Sequence, residues 1–427
     1  MSVGQARFRC RRWVVGAGGV LVLLGLVFWR PLHQECLAWF LLRSEAPAEE
    51  ALSELVKQAG DPQPVLQRLW STQRIAHRHF VLRYLGSISS AKPDLFRALE
   101  PVSLEATGDV DLEARQLAFA ALASRKHPDL RRLSCEQLAD TDPAVRLLGL
   151  QNLRRVATTN DVPISMRLLD DPEPRIVVAA AQVLREATGQ DFGLRSAHAV
   201  PQFTYLGTNP PPPPDLTAIS QGVGRCRDWW SRHQAEYPAP TLPLPPPRRL
   251  APLATPDFAL EDSAGTPVHL STYRGRVVLL AFWSLDAPAN LDMELLNRLQ
   301  QRHPERLAIL GICIPAAPSC ADEHHHGEGH DHGEHSCHED ASSAPLANAA
   351  PTRASVQAEK QLHHLNYPML LDAKGIIGLR FDVEDRPTYV LLDAQGRILR
   401  RFVGNRTEPI LHAFIQEAEY ALPANRR

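Results

Sequence analysis

The spacing of hydrophobic residues changes near residue 250, and this change divides the chain into two parts. Between residues 48 and 237, apolar positions recur three and four apart, which is typical of amphipathic helices joined by polar turns. After residue 252, short apolar runs alternate with helical segments, which predicts a mixed sheet covered by helices. The predicted strands are 258–261, 277–283, 307–314, 388–392 and 398–402, and the predicted helices are 291–302, 354–364 and 409–420.

The helical part contains an internal repeat. A shift of 31 residues aligns Asp111, Asp142 and Glu173, each placed where a helix begins. An acid followed by an apolar helical stripe is an N-cap signal, and one helix pair cannot bury its own stripe, so neighbouring pairs should stack. The best-matched repeats begin at Pro143 and Pro174. This segment resembles the HEAT-repeat family, which implies an all-α solenoid over 48–237 with a proline-rich insertion at about 194–224.

Proline also fills residues 238–251 between the two parts. Such a composition favours an extended, semi-rigid linker that sets the reach between domains. A site for a proline-binding partner is the alternative interpretation.

The C-terminal part carries four motifs that resemble the thioredoxin-like superfamily, in its redoxin or TlpA-like branch. They are Pro256-Asp-Phe-Ala-Leu, Gly275-Arg-Val-Val-Leu-Leu-Ala-Phe-Trp, Tyr367-Pro-Met-Leu-Leu-Asp and Arg386-Pro-Thr-Tyr-Val-Leu-Leu-Asp. The resemblance covers about 252–424, implies an α/β fold and identifies Pro387 as the family's cis-proline. It leaves open whether Pro387 helps to hold a peptide or only shapes a turn.

The family's Trp-Cys-x-x-Cys motif falls here on Asp286, Ala287, Pro288, Ala289 and Asn290. Alanine and asparagine replace both cysteines, and thiol-disulfide exchange requires a thiolate that attacks a sulfur. We therefore expect a redox-inactive, degenerate site, in which Asp286 caps the following helix. Cys313 lies in a predicted core strand, where an inert buried thiol is expected. Cys320 and Cys337 lie in the insertion, and a redox pair formed by these two cysteines remains an alternative.

Within the domain, an insertion at 316–351 contains a histidine tract. Its candidate metal ligands are His324, His325, His326, His330, His332, His335, Cys337 and His338. Imidazole and thiolate suit zinc, copper or nickel, and the intervening glycines argue against a rigid cage. A solvated acidic loop and a pH sensor are the alternatives.

The first thirty residues carry a targeting signal. A basic segment at 1–12 precedes an uncharged apolar run at 13–29, closed by Arg30. A run of this length sits at the lower limit for a membrane-spanning helix, and the arginines favour a cytoplasmic N-terminus. We expect a single-pass anchor with the bulk of the chain extracytoplasmic, as in the bacterial periplasm, and a cleaved signal peptide is the alternative.

Composition narrows the class of partner. The net charge of −2 provides no basic field, so nucleic acid is not an expected partner. The leading hypothesis is a membrane-anchored binding or assembly protein that recognises a protein or peptide. The alternatives are a thiol-disulfide oxidoreductase or peroxide-reducing redoxin that uses other cysteines, and a protein for metal buffering or delivery.

Overall fold

The computed structural model describes residues 49–88, 91–199, 213–237, 247, 249–286, 291–316 and 350–420. The predicted basic segment at 1–12 and anchor at 13–29 lie outside these residues. Within the described ranges, no helix is long and apolar enough to cross a membrane.

Helices fill the described part of residues 49–237, as the apolar spacing predicts. In chain order they are α1 Glu49–Gln58, α2 Pro62–Ser71, α3 Ile75–Ile88, α4 Pro93–Ala106, α5 Leu112–Ser124, α6 Leu130–Cys135, α7 Pro143–Arg155, α8 Val162–Leu168, α9 Pro174–Thr188 and α10 Leu216–His233.

The 31-residue recurrence corresponds to a repeated set of hydrogen bonds at the helix starts. Asp111 caps α5 by accepting from Glu113 N at 3.1 Å, and Asp142 caps α7 by accepting from Ala144 N at 2.9 Å. Both predicted caps are confirmed. Glu173 occupies the same position before α9 without a side-chain capping bond.

A second acid stands two residues before each of these positions. The carboxylates of Asp109, Asp140 and Asp171 accept from the backbone N–H of the residue two positions on, at 2.9 to 3.0 Å. Arg146 then joins successive repeats, donating to Asp171 at 2.8 and 2.9 Å. The same turn is therefore built each time, which fixes the spacing of the stack.

The last helix of the stack, α10, starts inside the predicted insertion at 194–224. The insertion boundary is wrong because Asp215 supplies a cap, accepting from Ala218 N at 2.9 Å. Trp229 of α10 packs edge-on against Phe192, with ring centroids 5.7 Å apart. The closing segment after α9 and the tryptophan helix therefore belong to one apolar core.

Residues 253–420 form one eight-stranded mixed sheet, in the order β1-β8-β7-β4-β5-β6-β2-β3. The strands are β1 Leu253–Ala254, β2 Ala259–Asp262, β3 Pro267–His269, β4 Val277–Trp283, β5 Leu307–Cys313, β6 Met369–Leu371, β7 Thr388–Leu392 and β8 Arg397–Val403. The helices are α11 Met293–Arg302, α12 Arg353–Leu362, α13 Ile376–Arg380 and α14 Glu408–Tyr420.

The strand predictions are confirmed at the centre of the sheet and incomplete at its edges. β4 and β5 are parallel, and every residue of both strands is buried, as continuous apolar runs predict. The elements β1, β3, β6 and α13 were not predicted from the apolar pattern. Each of these elements has five residues or fewer, too short to show a period.

The two parts of the molecule touch directly, and residues 238–246 and 248 of the predicted linker lie outside the described residues. Leu250 N, near the end of that linker, donates to Gly108 O of the helical stack at 2.6 Å. Arg401 N of β8 donates to Val110 O at 3.0 Å. The turn before α5 thus extends the sheet at β8 by an isolated bridge between Asp111 and Arg401.

Candidate functional site

The degenerate site lies at the carboxyl ends of the parallel strands β4 and β5. Ser284 to Asp286 follow β4, and Pro315 follows β5. Backbone bonds hold these ends together: Ile314 N donates to Trp283 O and Asp372 N donates to Cys313 O, each at 2.9 Å. In open α/β sheets this edge is where ligands bind.

Pro387 completes this edge, and its predicted cis peptide bond is confirmed between Arg386 and Pro387. Pro387 is buried, and its carbonyl accepts from Gly404 N at 2.8 Å. Arg386 reaches across to β5 and donates to Pro315 O at 3.0 Å. We call Asp286, Pro315, Arg386 and Pro387 the rim.

Asp286 is exposed, and the described start of α11 is capped by Asp292, which accepts from Leu295 N at 2.9 Å. A carboxylate at this position satisfies free amides of the first helical turn. The amides that the predicted cap at Asp286 would bind belong to residues 287–290, so that cap stays a prediction. Ala287, Pro288 and Asn290 lie outside the described residues.

The described cysteines have the properties of structural thiols. Cys313 is fully buried at the end of β5, and burial raises its pKa to about 12. Burial likewise raises the pKa of Cys135 to about 11 and that of Cys226 to about 12. A thiolate is the reactive form, so these three groups are inert near neutral pH. Cys320 and Cys337 lie outside the described residues.

The histidine tract also lies outside the described residues. This applies to His324, His325, His326, His330, His332, His335 and His338. Among the described residues, His79, Glu113 and Asp382 bring a nitrogen and two carboxylates within 4.8 Å of one another. His79 is fully buried, and its Nδ1 lies 2.5 Å from Asp382 while its Nε2 contacts Asp111.

This histidine is a buried cation, because each ring nitrogen faces a carboxylate. Burial alone would lower the pKa of His79, but Asp111 and Asp382 raise it to about 9. The protonated ring therefore donates on both sides at neutral pH, joining Asp111 of the stack to Asp382 after α13. The arrangement is an ion pair network that leaves no free ring nitrogen for a metal.

Arginines in and just after β8 face the acids at the helix starts of the repeats. Arg401 donates to the cap Asp111 at 3.1 Å, and Arg406 donates to the cap Asp142 at 3.2 Å. Arg400 donates to Asp140, two residues before the second cap, at 3.2 Å. The starts of α5 and α7 are thus both paired with arginines of the C-terminal domain.

This interface was not predicted from the sequence. The sequence did contain a signal for a buried arginine. Arg400 and Arg401 are adjacent in a strand whose flanking residues are apolar, so at least one of the two side chains points into the protein. The acids that pair with them could not be predicted, because Asp111 and Arg401 are separated by most of the chain.

Comparisons with known proteins agree with this fold. The Redoxin family model matches residues 252–420. Thioredoxin-like protein YneN of Bacillus subtilis is 25% identical over 154 residues, which is 36% of this chain and 71% of that protein. Thiol-disulfide oxidoreductase ResA of Bacillus subtilis is 21% identical over 160 residues, which is 38% of this chain and 71% of that protein.

Solved structures show similarity over a comparable share of the chain. The exposed lipoprotein thioredoxin Etrx1 of Streptococcus pneumoniae is 19% identical, with a TM-score of 0.26 over 38% of this chain and 99% of that one. A thiol:disulfide interchange protein of the thioredoxin family from Chlorobium tepidum is 14% identical, with a TM-score of 0.29 over 40% and 97%.

The topology of the sheet, the cis-proline and the matched residues agree with one another. Residues 252–420 therefore form a redoxin domain of the thioredoxin-like superfamily, related to thiol-disulfide oxidoreductases.

Proposed function

We propose that this chain is a membrane-anchored, extracytoplasmic binding or assembly protein whose redoxin domain recognises a protein partner without redox chemistry. The observation that carries the proposal is the replacement of both motif cysteines by Ala287 and Asn290 in a domain that keeps the cis bond before Pro387. Exchange chemistry needs sulfur at that place. Binding of a peptide at the edge beside it requires only backbone hydrogen-bonding groups and a surface of complementary shape.

Exposed apolar side chains next to the rim support a docking role. Ile376 is 49% exposed and Leu379 is 61% exposed, both on α13. Gly375, which starts this helix, lies against the rim, since a methyl group there would contact Pro315 at 3.4 Å. We infer that the partner presents an extended segment along Pro387 with an apolar side chain over α13.

The helical part supports an assembly role. Its repeated caps favour a HEAT-type scaffold, and the buried ion pairs with β8 join scaffold and domain into one body. A partner held at the rim is therefore held at a fixed position relative to the stack, as an assembly protein requires.

An insulin-reduction and peroxide-reduction assay on the full chain tests the absence of redox chemistry. We expect no rate above that of a variant in which Cys313, Cys320 and Cys337 are serine. The matched control is Ala287→Cys combined with Asn290→Cys, which restores the motif and should introduce measurable exchange. Cysteine-dependent activity of the unmodified chain would instead support the oxidoreductase alternative.

Site-specific photocrosslinking tests the docking edge. A crosslinker at Asp286 should capture a partner, and one at the exposed Gln361 of α12 should not. Ile376→Glu combined with Leu379→Glu should abolish the product at Asp286. A product that is equal at both positions, or that survives the double substitution, would contradict docking at the rim.

A further inference from the structure

The seam between α11 and α14 carries a pair of histidines outside the site described above. His303 directly follows α11, and His412 lies on the facing side of α14. His303 Nε2 lies 3.3 Å from His412 Nδ1, and the ring centroids are 5.2 Å apart at an interplanar angle of 34°. Both side chains are partly buried, and that of His303 is 15% exposed.

The separation of the two nitrogens matches the spacing of two ligands on one tetrahedral metal ion. Zinc binds imidazole nitrogen at about 2.0 to 2.1 Å, so two ligands at a tetrahedral angle lie about 3.3 Å apart. The distance of 3.3 Å from His303 Nε2 to His412 Nδ1 equals this spacing.

A polar side chain lies near the outer nitrogen of each ring. His303 Nδ1 lies 3.9 Å from Glu419 Oε1, a buried oxygen without a hydrogen-bond partner, so a closer approach of Glu419 would form the hydrogen bond. His412 Nε2 lies 2.9 Å from the side-chain amide nitrogen of Gln416, and a half-turn of that amide would present its oxygen instead. With both outer nitrogens donating in this way, the inner nitrogens are free to bind a metal.

The carboxylate of Glu419 also has an arginine beside it. Arg306, the nearest cation to Glu419, is 65% exposed and lies 3.7 Å from its other carboxylate oxygen. The carboxylate can therefore contact both groups.

We propose that His303 and His412 form a two-histidine metal site, oriented by Glu419 and Gln416, that binds zinc or a similar imidazole-preferring ion with its remaining positions open. The site joins the two helices that cover one face of the sheet. Metal bound there must stabilise the folded domain, because it binds the folded state in preference to the unfolded chain. This inference does not depend on the proposed partner or on the histidine tract.

The test is the thermal unfolding temperature of the full chain with and without Zn²⁺. To keep the tract from competing, the measurement is repeated in a background where its seven histidines are asparagine. We expect Zn²⁺ to raise the unfolding temperature by about 2–4 °C in both backgrounds. His303→Gln or His412→Gln should abolish the rise.

Two further variants sharpen the test. Glu419→Gln should require about tenfold more Zn²⁺ for the same rise, as expected for an outer partner. His363→Gln is the matched control, because His363 is an exposed histidine paired with Glu359 on α12. Its zinc response should be unchanged.

A plain hydrogen bond between the two rings would give no zinc response at all, and that result would overturn the proposal. So would a response that survives both glutamine variants, or one that disappears when only the tract is replaced. Visible absorption of Co²⁺ bound to the folded protein, lost in His303→Gln, provides a second readout if a variant lowers the unfolding temperature by itself.

Discussion

Asp111 and Arg401 form a buried ion pair between residues 290 positions apart in the chain. Arg401 Nη1 donates to both carboxylate oxygens of Asp111, at 3.1 and 3.3 Å, and the side chain of Arg401 is 1% exposed. Arg401 Nε also donates to Phe381 O at 2.9 Å. The guanidinium therefore joins the helical stack, β8 and the end of α13 at one point.

Arg401→Ala should destabilise the protein by about 3–5 kcal/mol. The substitution leaves the buried charge of Asp111 with His79 alone, and an uncompensated buried charge is costly. The free energy of unfolding from urea titration measures the effect. Arg195→Ala is the control at an exposed pair: Arg195 and its partner Asp191 are 50% and 52% exposed, so the loss of Arg195 should cost less than about 1 kcal/mol. Equal costs for the two variants would show that the buried pair does not hold the interface.

The buried cation at His79 makes stability depend on pH on the alkaline side. Its pKa is raised from 6.5 in the unfolded chain to about 9 in the fold, so the folded state holds an additional proton between these values. The contribution is complete below pH 6.5 and is lost as the pH rises through 9. The free energy of unfolding should fall across this window by about 1 kcal/mol per pH unit.

His79→Gln is the control for that dependence. Unfolding free energies at pH 6, 7.5 and 9 should converge between the native chain and the variant as the pH rises. A difference that stays constant over the range would mean that His79 is neutral in the fold. On the acid side the sign reverses. Burial would raise the pKa of Asp111, but Arg401 and His79 lower it below the ordinary value. The stabilisation from the ionised Asp111 is therefore lost as the pH falls below about 3.8.

The sequence predicted those elements whose signal lies within a few neighbouring residues. β4 was predictable in full because a buried parallel strand is a continuous apolar run. The caps at Asp111 and Asp142 were predictable because capping joins residues two positions apart. The cap that Asp292 supplies to α11 was not predicted, because the family motif places its helix start near Asp286.

Interactions between distant segments were not predictable. In the sequence, His79 is one polar residue of an amphipathic helix. Its role as a buried cation depends on Asp111 and Asp382, which the fold places next to its two ring nitrogens. The proline-rich composition of the linker predicts stiffness but carries no information about whether the flanking domains touch. Direct contact through β8 decided that question.

Two glycines in α10 provide a test of how the helical stack closes. A methyl group at Gly222 would lie 2.3 to 2.8 Å from the side-chain carbons of Leu194, whereas one at Gly224 would meet nothing within 4 Å. Gly222→Ala should therefore cost about 1–3 kcal/mol by overpacking. Gly224→Ala should stabilise the protein by up to about 1 kcal/mol, since alanine is the better helix former.

Urea unfolding of the two variants measures both effects against a common reference, and the opposite signs matter more than the magnitudes. Both substitutions add the same methyl group to the same helix, so intrinsic helix propensity changes equally in each. Any difference between them reports contact with the segment around Leu194. If Gly222→Ala proved as stabilising as Gly224→Ala, α10 would not pack on that segment, and the apolar core that closes the stack would have to be assigned differently.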